Sequence, residues 1–156
     1  MAVGRGLGHA CGVLVVAGSF GCGASPITSA RIEASIAPTF ANLVQVQVSW
    51  LGLSPMAASA FAVNASCRKP AGGDNIGSGE WTCTLMWKGP GQQALTDTYD
   101  LFVTTDGCYT ATVATENLGG PMLKAKDGSE VRNLLYAFEG CFDLSGRASA
   151  TPTKTS

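Results

Sequence analysis

The cysteines constrain this chain more than any other feature, because four of the six lie between residues 67 and 141: Cys67, Cys83, Cys108 and Cys141. In an exported domain, four cysteines predict two disulfides, which can be connected in three ways. Metal binding is disfavoured, because no Cys-x-x-Cys pair occurs and the only histidine, His9, lies near the N-terminus. We therefore predict a disulfide-linked domain without a metal or other cofactor.

The first 21 residues have the pattern of an export signal. Arg5 supplies the positive start, and residues 10–20 form an apolar segment of the length expected for the core of a signal peptide. This segment is too short and too rich in glycine to span a bilayer comfortably. We assign residues 1–21 to a signal segment that is removed, and its removal takes His9 with it.

Cys22 follows this segment directly. A small residue before a cysteine at such a place resembles the lipobox of bacterial lipoproteins, in which the cysteine is acylated and becomes the first residue. Gly21 fits that pattern, whereas Ser19 and Phe20 replace the usual leucine and small residue. We expect lipidation at Cys22, with residues 22–29 as a tether to the membrane. Plain secretion and an uncleaved anchor are the alternatives.

Two stretches on either side of a polar loop at residues 70–79 alternate apolar and polar side chains, as half-buried strands do. Their apolar positions are Phe61, Val63, Ala65 and Cys67 in residues 60–68, and Trp81, Cys83, Leu85 and Trp87 in residues 80–88. An antiparallel register that joins Cys67 to Cys83 places all these side chains on one face, and a one-residue slip would turn one set outward. This register predicts the disulfide Cys67–Cys83 and, by elimination, Cys108–Cys141.

Residues 30–51 combine two patterns. The apolar residues of the first half follow helical spacing, whereas those of VQVQVSW at 44–50 alternate as in a strand. Pro38 either kinks one helix or begins a second. We predict helix throughout, ending at Gly52. The apolar face that favours this interpretation consists of Phe40, Leu43, Val44, Gln47 and Leu51.

A second hairpin is predicted from residues 96–104 and 108–115 around an Asp-Gly pair. A two-residue turn would scatter the apolar residues over both faces, so we predict a three-residue loop of Thr105, Asp106 and Gly107, with Gly107 in the left-handed conformation. The resulting pairs are Thr104 with Cys108, Val103 with Tyr109, Leu101 with Ala111, and Tyr99 with Val113. Cys108 then faces away from the apolar set, and Cys141 must approach it from the other face or from the sheet edge.

The remaining segments are less determined. Residues 129–139 fit a helix and a strand about equally well, because Asp127-Gly128 could close a small hairpin while Val131, Leu134, Leu135 and Phe138 have helical spacing. Residues 147–156 have no apolar anchors and are predicted to be a disordered tail. One domain is therefore expected over residues 30–146.

Several sequence pieces resemble a known group of proteins. These are WTCT at 81–84, DGCYTATV at 106–113 and LYAFEGCFD at 135–143, behind a signal segment and a helix that ends near a glycine. Together they resemble small uncharacterised lipoproteins exported by actinobacteria, over most of residues 30–143. The resemblance implies an α+β fold, in which an N-terminal helix packs on a curved antiparallel sheet, and it allows a cystatin-like wrap of the sheet around the helix. It implies no known activity.

Charge and residue types exclude several kinds of function. The formal net charge is −1 and no basic run occurs, so the footprint of a nucleic-acid-binding protein is missing. No histidine follows the signal segment, which removes Ser-His and Cys-His mechanisms. Two acidic pairs, Asp97 with Asp100 and Glu139 with Asp143, are expected to be solvated surface charges beside polar turns.

Aromatic residues supply the only candidate binding positions: Phe102, Tyr136 and Phe138. Most aromatics are expected to pack in the core, and the functional interpretation is an apolar groove between helix and sheet. Phe102 is the best candidate, because it points to the opposite sheet face from its neighbours in the strand. We expect an extracytoplasmic, non-enzymatic module, attached to the membrane through Cys22, that binds an envelope protein, a peptide or an apolar small ligand. A carboxylate-dependent envelope hydrolase and a purely structural envelope protein are the alternatives.

Overall fold

The computed structural model describes residues 25–70 and 73–145, and these form one α-helix, seven β-strands and two short 3₁₀ helices. The helix is α1 (Ser29–Trp50), and the strands are β1 (Asn64–Arg68), β2 (Gly79–Lys88), β3 (Ala94–Val103), β4 (Cys108–Val113), β5 (Met122–Lys124), β6 (Glu130–Arg132) and β7 (Ala137–Cys141). The predicted α+β class with two disulfides is confirmed. The predicted signal segment, Cys22 and the tail at 147–156 lie outside the described residues.

Helix α1 is a single helix that includes Pro38. At its N-terminus, the Thr28 hydroxyl accepts a hydrogen bond from the Arg31 backbone N–H at 3.4 Å, which satisfies one of the unpaired donors of the first turn. At its C-terminus, Gly52 has a φ of 70°, a conformation that glycine adopts without strain. The predicted helix and its end at Gly52 are confirmed.

Residues 25–28, which the sequence analysis assigned to a tether, are bound to the domain. Ile27 is buried in the core, and its carbonyl accepts a hydrogen bond from the Gly77 backbone N–H at 2.9 Å. The Ser25 backbone N–H donates to the Leu144 carbonyl at 2.8 Å. The domain therefore begins before the helix rather than at residue 30.

Five antiparallel strands form the main sheet, in the order β1-β2-β3-β4-β7. Cys67 lies opposite Cys83 and Ala65 opposite Leu85, as predicted. The first strand is shorter than expected, because residues Ala58–Phe61 form a 3₁₀ helix and Ala62 adopts a φ of 45°. That left-handed residue breaks the alternation, so the predicted pairing of Val63 with Trp87 falls outside the ladder, although Phe61 is still buried.

The second hairpin has the predicted register and loop. Val103 lies opposite Tyr109, Leu101 opposite Ala111 and Tyr99 opposite Val113. The Thr104 backbone N–H donates to the Cys108 carbonyl at 2.8 Å, which closes the three-residue loop. Gly107 has a φ of 84°, so the left-handed position falls on the residue that tolerates it.

Each disulfide joins an edge strand of the sheet to its neighbour. Cys67–Cys83 connects β1 to β2, and Cys108–Cys141 connects β7 to β4. Cys67 and Cys83 are buried, whereas Cys141 is exposed. The second disulfide is therefore on the other side of the sheet, reached from its edge as the hairpin register required.

Residues 122–132 form a small hairpin, and residues 129–139 are not a helix, because they contribute to β6 and β7 with a turn at 134–136 between them. Strand β5 pairs with β6, and the turn contains Gly128 with a φ of 86°. The Lys126 backbone N–H donates to the Leu51 carbonyl at 3.0 Å, so this hairpin is attached to the C-terminal end of α1. Strand β7 then follows and completes the main sheet.

The core lies between α1 and one face of the main sheet. Phe40 of α1 is fully buried, and its ring makes edge-to-face contacts with Trp87 at 5.3 Å and Tyr99 at 5.9 Å between centroids. Alternate residues of β2, β3 and β4 are buried against this helix. The residues between them point to the opposite side of the sheet, which we call the outer face.

Candidate functional site

The outer face is rich in threonine. Each of β2, β3 and β4 carries one Thr-x-Thr sequence whose hydroxyls lie on this face, and the six residues are Thr82, Thr84, Thr96, Thr98, Thr110 and Thr112. Threonine suits an exposed strand, because its branched side chain packs well on a pleated surface. The three Thr-x-Thr repeats are visible in the sequence, and they were a signal for this surface that the sequence analysis did not use.

Phe102 interrupts this polar surface. Its side chain is 56% exposed although it belongs to a ten-residue strand, in which it is the ninth residue. Its direct neighbours across the sheet are Glu80 on β2 and Thr110 on β4. The aromatic ring is therefore bordered by polar side chains on the outer face.

Two open grooves share Phe102 and Thr110 as lining residues. The first has a volume of about 440 Å³ and also includes Glu80, Thr82 and Asp100. The second has a volume of about 410 Å³ and extends over β4 and β7 to Glu139 and Cys141. Both volumes are in the range of sites for small molecules. We call the two grooves together the Phe102 site.

Several polar side chains of the Phe102 site have no partner among the described residues. Glu80, Asp100 and Glu139 make no hydrogen bond or ion pair with the residues at 25–70 and 73–145 that the structure describes. The hydroxyls of Thr82 and Thr110 likewise have no partner in that part of the chain. These groups are exposed or half-buried and are free to meet a ligand.

The floor of the second groove is held rigidly. The Cys108–Cys141 disulfide lies within it and crosslinks β4 to β7. In the adjoining loop, the Thr104 hydroxyl donates to the Asp106 carboxylate, and the Cys108 backbone N–H donates to the same carboxylate. These bonds, the one from Thr104 first, lower the pKa of Asp106 because they favour its charged form.

The three aromatic residues predicted as binding positions do not come together. Phe138 is on the core side, where its ring contacts Tyr99 at 5.3 Å and Phe40 at 6.2 Å. Tyr136 is exposed beside the start of β7, and its carbonyl accepts a hydrogen bond from the Val113 backbone N–H. Only Phe102 of the three lies on the outer face. The candidate site is therefore on the side of the sheet away from α1, and not in the expected groove between helix and sheet.

Asp97 is buried, which corrects the expectation of a solvated carboxylate. Only 1% of its surface is exposed. One carboxylate oxygen accepts a hydrogen bond from Trp87 Nε1 at 2.8 Å, and the other accepts one from the Thr115 hydroxyl at 3.2 Å. Asp97 and Asp100 point to opposite faces, because they are three positions apart along β3 and successive side chains alternate.

Asp97→Ala is expected to destabilise the protein by about 1–3 kcal/mol, because the buried Trp87 indole N–H would lose its acceptor. Asp100→Asn, on the same strand but the outer face, should change stability by less than about 0.5 kcal/mol. Urea unfolding of both variants, followed by circular dichroism, measures the difference. Equal stability of the two variants would mean that Asp97 does not have this structural role.

Tyr99 is a second buried polar residue with a structural partner. Its hydroxyl donates to the Leu135 carbonyl at 2.6 Å. Burial raises the pKa of Tyr99 strongly, and the nearby Asp97 charge raises it further. The hydroxyl is therefore a neutral donor that fixes the segment before β7, and it is not available as a base.

Comparison with known proteins adds no further information about this site. No family model, no curated protein and no solved structure matches the chain. Only the geometry of the site therefore indicates a function.

Two findings bear on the environment of the protein. The two disulfides indicate an oxidising, extracytoplasmic compartment. Among the described residues, no helix is both long and apolar enough to cross a membrane. In the same part of the chain, histidine, cysteine and acidic side chains form no group of three or more that could hold a metal ion.

Proposed function

We propose that this protein is an exported lipoprotein whose domain binds a ligand at the Phe102 site without catalysing a reaction. The observation that carries the proposal is the exposed Phe102 ring between two grooves in which Glu80, Asp100 and Glu139 have no partner among the described residues. A single exposed apolar residue is ordinary on a protein surface. An aromatic ring combined with converging, unengaged polar groups is the pattern of a binding site.

Binding is favoured over hydrolysis by the placement of the carboxylates. Catalytic carboxylates depend on burial or close pairing to shift their pKa values. Glu80, Asp100 and Glu139 are exposed on the outer face. Asp97 is the one buried acid of the described residues, and its carboxylate is occupied by Trp87 and Thr115.

Phe102→Ala is expected to abolish ligand binding while leaving stability within about 0.5 kcal/mol of the parent, since the ring is mostly exposed. Met86→Ala is the matched control, because Met86 is also on the outer face and is 50% exposed, but lies outside both grooves. Amide chemical shifts of the oxidised protein should be followed during titration with a panel of saccharides, oligolysine and small aromatic compounds.

The expected result is that at least one class of compound shifts the amides of β2, β3 and β4 around Phe102. These shifts should vanish in Phe102→Ala and remain in Met86→Ala. Shifts confined to the helix side would contradict the assignment of the site. No shift with any class would favour the purely structural alternative.

The membrane attachment is a separate part of the proposal and rests on Cys22. If Cys22 is acylated, the native protein should partition with membranes, and Cys22→Ala should release it or block its processing. Fractionation of producing cells, with mass determination of the mature N-terminus, makes the measurement. A soluble parent protein with another N-terminus would eliminate the anchor, and the ligand-binding proposal would stand independently.

A further inference from the structure

The hydrogen-bonding groups of the Phe102 site specify the kind of ligand that could satisfy them. Carboxylates such as Glu80 and Asp100 only accept hydrogen bonds when ionised, whereas threonine hydroxyls both donate and accept. A complementary ligand must therefore carry many donors together with some acceptors. Hydroxyl groups meet both requirements, and a hydroxyl bound to a carboxylate is a short and strong hydrogen bond.

The aromatic ring adds a second requirement. Phe102 offers an apolar face with a negative quadrupole, which attracts the polarised C–H groups of a saturated ring. A wholly apolar ligand would bury the adjacent Glu80 and Thr110 side chains without partners, which is unfavourable. The ligand should thus have one C–H-rich face and an edge of hydroxyls, as a sugar ring does.

The shape of the site indicates an elongated ligand. Glu80, Phe102, Thr110 and Glu139 occupy one row across four adjacent strands. Since neighbouring strands are about 4.8 Å apart, this row spans about 14 Å between its two carboxylate positions. A single compact molecule at Phe102 would reach one end of the row only, whereas a chain of several sugar units would reach both.

The outer face carries charges of both signs around the Phe102 site, so a ligand that both donates and accepts hydrogen bonds is complementary to it. The neighbouring row contains Arg68, Thr82, Asp100 and Thr112 in register, so a positive and a negative side chain border the same surface. A basic peptide would meet the three carboxylates but also Arg68. A neutral saccharide can accept from the guanidinium and donate to the carboxylates.

From these features we infer that the Phe102 site binds a neutral oligosaccharide, with one sugar ring stacked on Phe102 and its neighbours hydrogen-bonded along the rows. This inference rests on the proposed ligand-binding function and names its ligand class. The carboxylates act as hydrogen-bond acceptors in it, and no bond is made or broken.

The test is titration of the oxidised protein with linear neutral tri- to hexasaccharides built from glucose, mannose, galactose or arabinose, with oligolysine as the cationic probe. Calorimetry and amide shifts should detect binding of at least one saccharide series, tighter for longer members. Phe102→Ala should raise the Kd at least tenfold and Asp100→Asn severalfold, while Met86→Ala leaves it unchanged. Added salt should weaken the interaction little, because the ligand is uncharged.

Two results would overturn the inference in distinguishable ways. If oligolysine shifts the outer-face amides in a salt-dependent manner and no saccharide does, the ligand class is wrong and the binding function stands. If no probe shifts these amides, both the ligand class and the proposed function fail. Saccharide binding that is unchanged in Phe102→Ala would also refute the inference, because the sugar would then bind elsewhere.

Discussion

Phe40→Ala is expected to lower the free energy of unfolding by about 3–5 kcal/mol, the range found when a buried aromatic ring is removed from a core. Phe40 is fully buried on α1 and contacts three aromatic rings, those of Trp87, Tyr99 and Phe138. These rings belong to three strands of the sheet, so the cavity would open where helix and sheet meet. Total stabilities are typically about 5–15 kcal/mol, so the loss is a large part of the total.

Val46→Ala on the same helix is the matched control, because Val46 is 41% exposed. Its stability should stay within about 0.5 kcal/mol of the parent, since alanine suits an exposed helical position. Urea unfolding followed by circular dichroism and tryptophan fluorescence measures both variants. A loss below about 1 kcal/mol in Phe40→Ala would show that α1 contributes little to the core.

The parts of the fold that the sequence predicted are those in which a periodic pattern and a covalent constraint agree. The register that places Cys67 opposite Cys83 also places the apolar residues of both strands on one face, and it is the observed register. The loop at Gly107 was predictable for a similar reason, because only a three-residue loop places the apolar residues of both strands on the same face. Tertiary contacts had little left to decide at these positions.

Local pattern failed where tertiary contacts decide. Strand alternation places Asp97 on the same face as Tyr99, but the polar stretch TDT does not indicate that Trp87 provides a buried donor ten residues away. Phe61 keeps its buried position while the backbone around it turns at Ala62, so burial did not imply strand. Residues 129–139 had both periods, and the attachment of the β5–β6 hairpin to the end of α1 accompanies the strand outcome.

The candidate site was only partly predictable, because a site needs side chains from several strands in one place. The position of Phe102 on the face opposite Leu101 followed from strand alternation alone. Its neighbours Glu80 and Thr110 could be predicted only from the registers of two strand pairs together. Phe138 packs in the core against Phe40 and Tyr99, which its local sequence did not indicate. Phe102 and Phe138 were both candidate binding residues, but one lies on the outer face and the other packs in the core.

Loss of the Cys67–Cys83 disulfide is expected to destabilise the protein by about 2–5 kcal/mol, as for other disulfides of small secreted domains. Loss of Cys108–Cys141 should destabilise the protein less. Chain entropy alone would give the opposite order by about 0.6 kcal/mol, because this disulfide closes a loop of 33 residues and Cys67–Cys83 one of 16. Packing decides the order, because Cys67 and Cys83 are buried and Cys141 is exposed. Each buried sulfur that is removed leaves a void of about a methyl group, which costs about 1 kcal/mol.

Cys67→Ala with Cys83→Ala should therefore be less stable than Cys108→Ala with Cys141→Ala by about 1 kcal/mol, since the two voids outweigh the entropy difference. Substituting both cysteines of a pair avoids a free thiol that could exchange with the remaining disulfide. Urea unfolding of both double variants under oxidising conditions gives the comparison. If the Cys108 and Cys141 double variant is the less stable one, loop entropy rather than core packing determines what each disulfide contributes. In that case the disulfide that holds the floor of the second groove would also contribute more than the buried disulfide to the stability of the domain.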